Sequence, residues 1–84
     1  MALSYQPFDE LISQLRADNH TKIADELDDL LHRVAWTTSS ELVGELGLKI
    51  LTFHNQTERI SPKLQRSIEA SMKMVREVWP SMGR

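Results

Sequence analysis

Cysteine is absent from this 84-residue sequence, so any chemistry would have to come from its three histidines, its carboxylates, or its hydroxyls and amines. His20, His32 and His54 are too far apart along the chain to form a metal signature. Only Asp28 and His32, four residues apart on a helical pattern, have ligand-like spacing. A carboxylate and an imidazole at that spacing serve equally as a surface pair, with the histidine complementing the helix dipole, and this is the use the sequence predicts. His54 falls on the apolar side of its segment, where a partly buried, satisfied imidazole is expected. There is no G-x-S-x-G elbow, no H-E-x-x-H and no phosphate-cradling loop, because Gly44 and Gly47 lie inside a helical pattern. The sequence therefore predicts a non-enzyme with no cofactor, no metal and no small-molecule substrate.

Recognition of another macromolecule is better supported. Asp25, Asp29, His32 and Trp36 recur at i, i+4, i+7 and i+11, opposite an apolar stripe, with Asp28 beside them. Carboxylates steer and pair with a basic partner, and tryptophan is enriched at the hot spots of protein interfaces. These five residues form the candidate partner-binding face. The competing arrangement ends the helix before Trp36, which then folds back to cap the core.

Four elements must carry these side chains. Phe8, Leu11, Ile12 and Leu15 make one stripe over about 7–18, opened by Pro7 and the acids Asp9 and Glu10. Ile23, Leu27, Leu30, Leu31 and Val34 make a second over 22–36, with Thr21 as its cap and Lys22–Glu26 and Asp29–Arg33 as supporting i, i+4 pairs. Thr38 and Glu41 fit a capping box before a third helix over 39–55. There Glu41, Glu45, Lys49 and Thr52 share a narrow arc and most other positions are apolar or glycine, so this helix is expected to be the buried axis covered by the other three. Its two interior glycines predict a neighbouring helix passing close to the backbone. Ser61-Pro62 restarts the chain, and Leu64, Ile68, Met72, Val75, Val78 and Trp79 line a fourth helix over 62–79 that Pro80 stops. The fold class expected is all-α, a compact antiparallel four-helix bundle formed by a single domain over 1–84.

Composition bounds the partners. With 40% hydrophobic and 26% charged residues the chain is that of a folded protein, and no apolar run reaches the roughly 20 residues that span a bilayer. A soluble, unprocessed, cytoplasmic protein is expected, given the absence of cysteine and of a leader pattern at the start. The net charge of −2 conceals a split, since residues 1–42 hold 8 acids and 3 bases and residues 43–84 hold 4 acids and 7 bases. The default consequence is attraction between helices of the two halves; the other is an acidic side that draws a basic partner. Nucleic-acid binding is disfavoured, because the third helix offers Lys49 against Glu41 and Glu45, and Lys63, Arg66 and Lys73 of the fourth are interspersed with Glu69 and Glu77.

The run E-L-V-G-E-L-G-L-K-I-L (41–51), a polar link and S-P-K-L-Q-R-S-I-E-A-S-M (61–72) resemble small all-helical immunity proteins of interbacterial, polymorphic or type VI, toxin systems. The shared features are a Leu-Gly-rich helix, a short polar link and a helix opening on Pro-x-Leu, and they cover about half the chain. The resemblance implies a cytoplasmic bacterial antitoxin that binds a cognate toxin stoichiometrically and blocks its active site or substrate access. On that expectation Asp25, Asp28, Asp29, His32 and Trp36 would face a basic toxin surface, with the inhibitor a monomer or homodimer. A small regulatory or scaffold protein that self-associates through apolar surface around the third and fourth helices is the alternative, and a nucleic-acid binder acting through the fourth helix is the third reading.

Overall fold

The computed structural model describes residues 5–32 and 39–80. Helix α1 spans Gln6–Ala17, α2 Thr21–His32, α3 Ser39–Gln56 and α4 Pro62–Val78, an all-α four-helix bundle. The sequence-expected boundaries hold within one or two residues except at the end of α2, where 33–36 lie outside the described residues, as does Thr38 of the expected capping box. Each helix exists because one stripe of side chains leaves water. Phe8, Leu11 and Leu15 of α1, Leu27 of α2, Val43, Leu46 and Ile50 of α3 and Leu64 and Val75 of α4 are each 1% exposed or less.

The helices form a closed ring. α1 packs against α2 and α4, and α3 against α2 and α4, while the diagonal pairs α1–α3 and α2–α4 make no close backbone approach among the described residues. Polar ties show that every neighbouring pair runs antiparallel. The start of α1 meets the end of α2 where Asp9 approaches His32, and the start of α3 meets the end of α4 where the Trp79 indole N–H donates to the Ser40 carbonyl at 2.8 Å. Between α2 and α3, His20 meets Phe53 ring to edge at 5.0 Å. Between α1 and α4, Ser61 Oγ donates to Asp18 Oδ2 at 2.7 Å and Ser71 Oγ to the Pro7 carbonyl at 3.1 Å.

This ring corrects the expectation that the third helix is a covered axis. Glu41, Glu45, Leu48, Lys49 and Thr52 of α3 are exposed, and the helix is one wall of four. Two neighbours are enough to bury Leu42, Val43, Leu46, Gly47 and Ile50, a face about 140° wide at 100° per residue. A high apolar content therefore overstated how much of the helix is enclosed.

The joints explain how so short a chain turns back on itself. Asn19 has φ 66°, the left-handed conformation that asparagine tolerates after a helix, and the Asn19 and His20 N–H groups donate back to the carbonyls of Arg16 and Leu15. That Schellman turn closes α1 and places His20 ahead of α2. Thr21 was expected to cap α2; it is instead the first helical residue, and the His20 carbonyl accepts from Ala24 N–H. At α4, Ser61 is a side-chain cap whose Oγ accepts from Leu64 N–H at 3.1 Å, with Pro62 at the first helical position.

Two further positions depart from the expected pattern. Trp79 lies just past the end of α4 and is 41% exposed rather than part of the core stripe. Its indole covers Gly44, where a Cβ would lie 3.2 Å from Nε1, so the close approach read from that glycine is made by an aromatic side chain. Met74 and Ser71 are buried although neither belongs to the expected stripe, because α4 is pressed by α1 and α3 on two sides.

Ser61→Ala removes both the cap and the tie to Asp18 and should destabilise by about 1–2 kcal/mol, read from the urea midpoint. Gly47→Leu inserts a side chain at a buried position and should destabilise by about 1–3 kcal/mol through overpacking, read by thermal melting.

Candidate partner-binding surface

Helix α2 presents Ala24 and Leu27 to the core, with Ile23, Leu30 and Leu31 half-buried beside them. The 3.6-residue repeat then leaves Asp25 and Asp29 on the outer ridge, Asp28 on the flank toward α1 and Glu26 on the flank toward α3. The ion pairs follow that geometry. Arg16 of α1 reaches Asp25 at 2.8 Å and Asp28 at 3.6 Å, and Lys49 of α3 reaches Glu26 at 3.4 Å. Thus Glu26, expected to pair with Lys22 along the helix, is held from the neighbouring helix.

His32 Nε2 lies 3.0 Å from Asp9 Oδ1 and 3.7 Å from Asp28 Oδ1, so the histidine joins the α1–α2 seam rather than the outer ridge. Among the described residues no group of three or more potential ligands is arranged to hold a metal ion. Trp36, and with it the choice between an exposed anchor and a core cap, lies outside the described residues, as does Arg33. The structure therefore brings Asp25, Asp28 and Asp29 together on one helix and turns His32 aside.

Four carboxylates of α2 stand against Lys22, while α4 carries Lys63, Arg66, Lys73 and Arg76 against Glu69 and Glu77. The two helices occupy diagonal corners, so their outward charges face away from each other. Both uses of the charge split have a counterpart: each helix of the first half packs on one of the second, with Lys49–Glu26 as a pair between the halves, while α2 and α4 carry net charges of opposite sign at diagonal corners.

A feature that the sequence reading missed adjoins the acidic ridge. Between the start of α2 and the end of α3 runs an open groove of about 610 Å³, with Ile23, Leu48 and Phe53 as its apolar surface and Lys22, Glu26, Glu45 and Lys49 around it. Leu48 is 54% exposed, one of two large hydrophobic side chains so placed among the described residues. Its signal was present, since Leu48 falls at the edge of the arc that holds Glu41, Glu45 and Thr52.

No helix among the described residues is long and apolar enough to cross a membrane. Comparison with family models, curated proteins and solved structures gives no match to this chain.

Because Arg16, Asp25 and Asp28 are all substantially solvent-accessible, their pairing contributes little to stability. Arg16→Ala should cost about 1 kcal/mol or less in urea unfolding, and a cost several times larger would mean that the acidic cluster needs Arg16 to fold.

Proposed function

We propose that this protein is a non-catalytic binding module that neutralises a basic protein partner, acting as a cytoplasmic bacterial immunity protein toward a cognate toxin. The observation that carries this reading is the acidic outer face of α2, with Asp25 and Asp29 on its ridge and the basic helix α4 at the opposite corner. A surface of net negative charge, held on a rigid helix, raises the rate of encounter with an oppositely charged partner and disfavours like-charged ones. The resemblance of 41–51 and 61–72 to helical immunity proteins supplies the kind of partner. Inhibition by occlusion requires no nucleophile or metal of its own, only a complementary surface that covers the toxin's active site.

The experiment is genetic and then quantitative. The adjacent open reading frame should be toxic when expressed alone and tolerated when this chain is co-expressed. The double variant Asp25→Lys, Asp29→Lys, both exposed positions, should keep the helical spectrum of the wild type and weaken binding to that product at least about tenfold, about 1.4 kcal/mol. Unchanged affinity in the folded variant would remove α2 from the interface.

A further inference from the structure

We propose that the groove between α2 and α3 is a self-complementary contact at which a second copy of this chain docks antiparallel about a two-fold axis, each copy's Leu48 seated against the other's Ile23 and Phe53. The proposal goes beyond the toxin-binding reading and does not rest on it, because Asp25 and Asp29 are not among the residues that line the groove. The groove's charges run in order along its length. Glu26 and Lys49 pair at 3.4 Å across its middle. Lys22 lies one turn before Glu26 and Glu45 one turn before Lys49, and since α2 and α3 are antiparallel these two stand toward opposite ends, each about 6 Å from the central pair along its helix. Both are exposed, and neither makes an ion pair among the described residues.

That order selects the occupant. Two glutamates and two lysines cancel, so the groove offers no net charge to a basic or an acidic partner. A two-fold operation across the middle instead exchanges the ends, bringing Lys22 of each copy to Glu45 of the other and forming two ion pairs at once, the reciprocity that an isologous contact requires. Leu48, next to the central Lys49 in sequence, is 54% exposed and sits close to the axis, so the contact takes two leucines out of water together. The space of about 610 Å³, bordered by the half-buried Ile23 and Phe53, is ample for a leucine side chain. Trp79, the other exposed large hydrophobic side chain among the described residues, lies over Gly44 on the flank toward α4 and lines no part of the groove, so it stays outside this contact.

The test uses the full chain and sedimentation velocity over a wide concentration range, with the helical spectrum of each variant checked first. The wild type should pass from monomer to dimer as concentration rises. Glu45→Lys and Lys22→Glu, both at exposed positions, should each weaken self-association at least about tenfold, because each replaces two opposite-charge contacts by two like-charge ones. An equal mixture of the two variants should dimerise as the wild type does, since every contact between unlike variants again joins opposite charges. Leu48→Ser should also lose at least about tenfold. A wild type that stays monomeric at every concentration would overturn the proposal. So would a dimer that Glu45→Lys and Lys22→Glu leave unchanged, or one that the mixture fails to recover; if Trp79→Ala then abolishes it, the contact runs through the indole. None of these outcomes bears on the acidic ridge, which the double variant Asp25→Lys, Asp29→Lys tests separately.

Discussion

The seam between α1 and α4 is the contact on which this bundle depends. Each helix carries apolar stripe enough for two neighbours, and the diagonal pairs make no close approach among the described residues, so the core is sealed only when α1 and α4 meet. Two serine hydroxyls tie that seam at separate points. Ser61 both accepts from the first turn of α4 and donates to Asp18 at the end of α1, and the buried Ser71 satisfies itself on the Pro7 carbonyl. A hydroxyl buried at such a seam must find a partner or cost the desolvation of its polar group, which fixes the relative height of the two helices.

With the ring closed, the outward faces are assigned. The position of α2 opposite α4 separates their charges, and the surface ion pairs of Arg16 with Asp25 and Asp28, His32 with Asp9, and Lys49 with Glu26 stitch α2 to its two neighbours. Such exposed pairs contribute little to folding individually. The same side of the bundle holds the open groove between α2 and α3, with Leu48 exposed at its edge.

Most of the fold was legible in the periodicity. Phe8, Leu11, Ile12 and Leu15 are all buried as their spacing requires, Ser61-Pro62 caps α4, and the chain leaves α1 at Asp18. What periodicity could not supply was the number of neighbours each face meets. An apolar-rich α3 reads as enclosed, yet Leu48 is exposed, because hydrophobic side chains are not all buried even in folded proteins. The turn at Asn19 was equally hidden, since asparagine there stands in for the glycine that normally signals a left-handed residue. Of the candidate site, the outward placement of Asp25 and Asp29 was readable from helical spacing alone. The diversion of His32 to Asp9 was not, because it depends on which helix lies alongside.

The order in which the helices meet bears on how the chain is made. A ribosome adds about 5–20 residues per second, and α1 is complete long before Leu64 of α4 has been polymerised, so the stripe of Phe8, Leu11 and Leu15 waits for several seconds without its lateral cover. During that interval α1 and α2 can dock as a hairpin through the turn at Asn19, while one side of α1 stays accessible to chaperones or to another nascent chain. Helix α4, synthesised after α1, is thus the one that withdraws α1 from competition.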